Sequence, residues 1–164
     1  MPPSVVIITG VTGSGKTTVG RALAARVGWR FHDADDLHSP ENIERMRRGV
    51  PLTDALRQPW LSRVREVIEQ AIGTGEHAVI ACSALKAAYR RTLAEGLPGV
   101  RFVLLAASAS VLRERLAERQ GHFAGAALLE SQLAALEPPR DALTLDATQP
   151  VETLVDRIAS ELGL

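Results

Sequence analysis

Residues 10–17 read Gly-Val-Thr-Gly-Ser-Gly-Lys-Thr, which is the spacing G-x-x-x-x-G-K-[ST]. Each residue type has a physical task. Gly10, Gly13 and Gly15 let the backbone turn tightly, so that N–H groups along Gly10, Val11, Thr12, Gly13, Ser14 and Gly15 can point at phosphate oxygens. The helix expected to follow adds free N–H groups and a dipole that favours an anion. Lys16 is placed to bridge β- and γ-phosphates, and Thr17 to offer a hydroxyl to Mg²⁺. The segment therefore reads as a site for a nucleoside triphosphate, with ATP and Mg²⁺ the expected cofactors. The loop alone does not choose between a kinase, a nucleotide hydrolase and a switch GTPase. No Asn-Lys-x-Asp base-reading motif occurs, and 164 residues is short for a switch or motor. A small metabolite kinase fits best.

A second group of reactive residues follows at His32-Asp33-Ala34-Asp35-Asp36-Leu37-His38. Carboxylates at a strand's carboxyl end, next to a phosphate loop, suit phosphoryl transfer: one can orient or deprotonate an acceptor hydroxyl, and others can hold Mg²⁺ through water. A solvated, helix-capping turn is the plainer reading of such a cluster in isolation. Arg45, Arg47 and Arg48 read as a solvated helix face. Arg57 is expected in an ordered turn between two helices, where a planar guanidinium could clamp an acceptor carboxylate. In Cys82-Ser83-Ala84-Leu85-Lys86, small residues allow close approach of a ligand, and Cys82 is expected to pack as a small hydrophobe. Lys86 is open between ligand contact and ordinary surface lysine. Arg115 and Arg119 are four apart and share a helix face. They run into Gln120-Gly121-His122-Phe123-Ala124-Gly125, read as a lid that closes over phosphates and excludes water.

The elements needed to position these groups alternate. Residues 4–9 (SVVIIT), 29–33, 78–82, 101–105 and 142–146 read as strands. Helical patterns cover 16–27, 40–48, 57–72, 84–95, 108–118 (with Ser108 as N-cap), 126–136 and 150–162. Strands alternating with helices imply an α/β fold with a five-stranded parallel sheet covered on both faces, and ligands at the carboxyl ends of the strands. One domain is expected over 1–164. Apolar residues make up 46% and charged residues 23%, the balance of a globular protein. Lys+Arg and Asp+Glu stand at 19 each and aromatics at only 4%, which disfavours a nucleic-acid partner. Cys82 is the only cysteine, which fits a reducing compartment. The N-terminus lacks a signal-peptide pattern, and no apolar run reaches the ~18 residues of a membrane span, so the cytoplasm is expected and a membrane partner is not.

Taken together, the phosphate loop, DADDLHSPENIERM, GVPLTD…RQPWL, ACSALKAAYR, RQGHF and LLESQLAALEPP resemble the gluconokinases, P-loop kinases of D-gluconate related in fold to shikimate kinase and the nucleoside monophosphate kinases. The likeness runs from about residue 5 to 155. It implies ATP on Gly10–Thr17 and catalytic roles for Lys16, Asp35 and Arg119. By the same likeness Asp33 would lie beside Asp35 near Mg²⁺, with Thr17 also on the metal. Asp33, Asp35, His38, Arg57, Ser83, Lys86, Arg90 and His122 would surround the acceptor. Arg115 would lie against adenine, and the loop Asp146–Pro150 would wrap the base. An acceptor-binding insert at about 36–72 and a lid at about 119–126 are implied, as is a homodimer, common among small metabolite kinases. Ala55 and Leu56 depart from the acidic residues usual in the family, and Ala124-Gly125 from its usual Met-Pro. A kinase for another small acid such as shikimate, and a nucleotide-binding regulatory module with an impaired acceptor site, are the rival readings.

Overall fold

The computed structural model describes residues 3–118 and 123–164. Its framework is a five-stranded sheet of β1 (Val5–Thr9), β2 (Arg30–Asp33), β3 (Ala78–Ala81), β4 (Val100–Ala106) and β5 (Leu143–Asp146). The order is β2-β3-β1-β4-β5 and every pairing is parallel. All five residues of β1 are buried, as the central strand of a sheet covered on both faces must be.

Alternation along β1 splits the core in two. Val5 and Ile7 meet Trp60, Leu61, Val64 and Ile68 of α3 (Asp54–Thr74) and Leu93 of α4 (Ala87–Ala94). Val6 and Ile8 meet Val19 and Leu23 of α1 (Lys16–Val27) and Leu154, Val155 and Ile158 of α7 (Val151–Leu162) on the other face. Helix α1 lies close to the sheet at Gly20, where a Cβ would sit 2.7 Å from Phe31 Cε1. A third cluster joins Val11 and Leu85 to Leu112 and Leu116 of α5 (Ala109–Glu118) and Leu129 of α6 (Phe123–Ala135). It seats α5 and α6 over the carboxyl edge of the sheet.

Three helix starts differ from the sequence expectation by three residues. Helix α3 starts at Asp54 rather than 57, so Arg57 sits in its first turn and not in a connecting turn. Thr53 caps it by accepting the Leu56 N–H at 3.2 Å, and Pro59 is tolerated within it because the Ala55 carbonyl that loses its helical donor lies on an exposed residue. Helix α4 starts at Ala87 rather than 84. Ala84 has φ 39°, outside the right-handed helical region, and the carbonyls of Ala84 and Leu85 are taken by the Arg90 guanidinium at 2.8 and 3.1 Å. Helix α6 starts at Phe123, so residues 123–126 form its first turn. The rest of the expected lid, with Arg119, Gln120, Gly121 and His122, lies outside the described residues.

Candidate active site

The parallel strands bring their carboxyl ends to one edge, and four of the five connections there carry the residues singled out above. After β1, the phosphate loop turns through Gly10 (φ 149°), Gly13 (φ 82°) and Gly15 (φ 97°). A Cβ on Gly10 would stand 2.8 Å from the Leu105 carbonyl oxygen and from Ser14 Oγ, so glycine is required there by space as well as by φ. Lys16 opens α1 and donates from Nζ to the Val11 carbonyl at 3.1 Å, which folds its ammonium back over the loop. Val11 turns its side chain into the apolar cluster beneath.

After β2, Asp33 accepts from Thr17 Oγ1 on Oδ2 at 3.0 Å and from the Asp35 N–H on Oδ1 at 3.0 Å. One carboxylate thus joins the start of α1 to the 3-10 turn Ala34–Leu37, and that turn places Asp35. Asp35 is exposed by surface area and lines the cavity, yet protein atoms crowd around its carboxyl. Burial raises its carboxyl above the ordinary range, Lys16 pulls it partly back, and Asp33 and Asp36 add to the rise. His38, which ends the turn, stacks on Trp60 at 4.2 Å between ring centroids and 11° between planes. Trp60 is fixed by donating from Nε1 to the Ala34 carbonyl at 2.7 Å. Burial, with Arg57 and Arg63 nearby, lowers the His38 pKa to about 4, so its imidazole is neutral at physiological pH.

The third wall comes from the start of α3 and the β3–α4 loop. Arg57 donates from Nη1 to the Tyr89 hydroxyl at 2.6 Å, with its Cζ 4.8 Å from that ring's centroid. Tyr89 in turn donates to Asp54 Oδ1, and Lys86 Nζ lies 3.6 Å from the same oxygen. The Tyr89 hydroxyl, then Lys86, hold the Asp54 carboxyl below its usual range. Ser83 lies at the same wall and its carbonyl accepts from Thr9 Oγ1. Cys82 is fully buried, and burial pushes its thiol up to about 12, so it packs rather than reacts.

These walls enclose one cavity of about 480 Å³, within the range of small-molecule sites. Thr12, Gly13, Gly15, Lys16 and Thr17 line one side; Asp33, Asp35, His38, Arg57, Ser83 and Lys86 line the other. Ala55 and Leu56 do not line it, whereas Asp54 and Arg57 do, as their three-residue spacing on a helix requires. Two of the expected contacts have other work. Arg90 is buried away from this cavity, and its guanidinium is committed to the carbonyls of Ala84, Leu85 and Glu137. Arg115 spans from the Gly13 carbonyl (3.1 Å) to the Ala147 carbonyl (2.7 Å), buckling the phosphate loop to the loop after β5, where Pro150 caps α7.

Sequence reasoning missed Asp54, Tyr89, Trp60 and Gln132. Asp54 and Tyr89 carry a faint local signal, since each stands three residues from a singled-out cation, Arg57 and Lys86. Gln132 carries none: its partner, the Thr12 N–H at 2.6 Å, is 120 positions away. Oxygen donors from Thr17 and Asp33 suit Mg²⁺, and no cluster of three or more His, Cys, Asp or Glu side chains able to hold a metal occurs among the described residues.

Residues 5–139 match the family model of an AAA domain, a P-loop module. The gluconokinase of Gluconobacter oxydans is 46% identical over 142 residues, covering 86% of this chain and 79% of that protein. The crystal structure of a gluconokinase from Sinorhizobium meliloti superimposes with a TM-score of 0.87 at 42% identity, covering 98% of this chain and 92% of that one. That of a sugar kinase from Janibacter gives 0.91 at 45%, covering 99% and 95%. With a phosphate loop and a wall carrying Arg57 and Lys86 in one cavity, and with likeness of this extent in sequence and in fold, the chain belongs to the gluconokinase family.

Proposed function

We propose that the chain transfers the γ-phosphoryl group of ATP to D-gluconate, at the C6 hydroxyl, giving 6-phospho-D-gluconate and ADP. The observation that carries this reading is the sharing of one cavity by the phosphate loop, the Asp35 carboxylate and the Arg57–Lys86 cations. Few acceptors need all three. An anionic group on the acceptor suits Arg57 and Lys86, and a hydroxyl suits Asp35.

In this reading the loop N–H groups other than that of Thr12, which Gln132 takes, act with Lys16 to hold the triphosphate, and Asp35 orients the acceptor hydroxyl and accepts its proton. Thr17 and Asp33 would hold Mg²⁺, which supplies charge neutralisation to the phosphates when bound. Arg57, aligned by Tyr89, receives the acceptor carboxylate, with Lys86 beside it. His38, neutral and stacked on Trp60, offers a hydrogen bond to a polyol hydroxyl without adding charge. Arg119 and His122 are proposed to close over the transferring group. Positioning and electrostatics do most of the work in such a reaction.

The test is ADP formation against a panel of sugar acids and shikimate. Gluconate should give the highest kcat/KM by at least tenfold. Equal turnover of shikimate, or ATP binding with no gluconate-dependent ADP, would replace this reading with one of its two rivals.

A further inference from the structure

Helix α6 does more than follow the lid segment. Leu128, Ser131, Gln132 and Ala135 form a wall of the same cavity that holds Thr12, Asp35, Arg57 and Lys86. The helix is pinned along its length. Arg113 of α5 grips Glu130 with two bonds of 2.6 and 3.1 Å. Just past its end, the Glu137 N–H donates to the Leu85 carbonyl at 2.8 Å, and Glu137 Oε1 accepts the Ala87 N–H at 2.8 Å. A side chain on α6 is therefore held in a set position relative to both the phosphate loop and the loop that carries Lys86.

Gln132 is the α6 side chain that reaches the phosphate loop, accepting the Thr12 N–H on Oε1 at 2.6 Å. A backbone N–H can only donate, so the carboxamide oxygen must be the atom facing Thr12. The NH₂ end is then the free terminus. It has two N–H donors, and no protein acceptor for them occurs among the described residues. The side chain is half-buried on the wall of the cavity that also holds Lys16, Asp54 and Lys86, and it touches the phosphate loop at Thr12. The γ-phosphoryl group is the part of the nucleotide that must meet the acceptor in this cavity.

We propose that Gln132 is a ligand of the γ-phosphoryl group, its NH₂ donating to a phosphoryl oxygen while Thr12 fixes its oxygen; the proposal rests on the kinase reading above. The Thr12 bond orients the amide before nucleotide arrives, as a preorganised donor should be. A role confined to bracing the loop would need only the oxygen.

The experiment compares the dissociation constants of ADP and of a non-hydrolysable ATP analogue in the wild type, Gln132→Leu and Gln132→Glu. Glu keeps an acceptor for Thr12 and so guards against a variant that simply misfolds. In both variants the analogue should weaken about tenfold relative to ADP, and kcat should fall by roughly two decades, the usual effect of losing one such donor. A ratio of the two constants within twofold of wild type in both variants overturns the proposal. So does a parallel loss of both ligands in Gln132→Leu that Gln132→Glu restores, because that is the signature of loop bracing alone. A wild-type enzyme with no gluconate-dependent turnover would reject the acceptor reading and leave this nucleotide comparison standing.

Discussion

The proposed nucleotide side of the cavity is one unbroken run, Gly10–Thr17, built mostly on its backbone, while the proposed acceptor side gathers Asp35, His38, Asp54, Arg57 and Lys86 from three segments and is built on side chains. The first depends on φ angles that glycine permits and on the close packing of Gly10 against Leu105. The second depends on charge balance. Arg57 is only 18% exposed, and a guanidinium that deep needs partners. It has the Tyr89 hydroxyl and ring, with Asp54 3.8 Å away serving Lys86 as well. Backbone sites tolerate changes in surrounding side chains. Side-chain sites can be retuned by single substitutions, which is where acceptor choice should reside.

The comparison is tested most severely at Asp35, which stands at the seam. Asp35→Asn should lower kcat by about three decades, roughly 4 kcal/mol of barrier, while ADP affinity stays within twofold of wild type. Near-full activity would remove Asp35 from the chemistry. Arg57→Ala should come next. It should raise the gluconate KM about thirtyfold, roughly 2 kcal/mol, and leave the ATP KM alone. An equal rise in both constants would show that the two sides are not energetically separate. Tyr89→Phe should have the smallest effect. It removes the hydroxyl that joins Arg57 to Asp54 but keeps the ring under the guanidinium, so the gluconate KM should rise about fivefold, in line with ~1 kcal/mol for one hydrogen bond. No change in KM would make Tyr89 a packing residue only.

Much of the architecture was legible because it is written in local patterns. The helix expected over 16–27 matches α1, and the apolar runs at 4–9, 78–82 and 101–105 coincide with β1, β3 and β4 to within a residue or so. The errors have local causes too. The helix expected from 57 starts at Asp54, because the Thr53 side chain caps the turn ahead of it while Trp60 and Leu61 anchor the next turn in the core. Ala84–Lys86 reads as helix, since alanine and leucine favour it, but Arg90 and Glu137 draw that stretch into a loop. The family likeness in the sequence implies a ligand-binding role for Arg90. Its commitment to three carbonyls is invisible there, because one of them belongs to Glu137, 47 residues away.

By itself the sequence determined the phosphate loop, the parallel α/β scheme and the acidic end of β2. A glycine's conformational freedom, a strand's burial pattern and a carboxylate's place after a strand are properties of contiguous residues. Only the tertiary structure decided that Thr17 and Asp33 share a hydrogen bond, that Tyr89 joins Arg57 to Asp54, and that Gln132 closes on Thr12. Those links depend on strand order and on helices docked across the sheet edge. Contacts between residues tens of positions apart leave no periodicity for a single sequence to display.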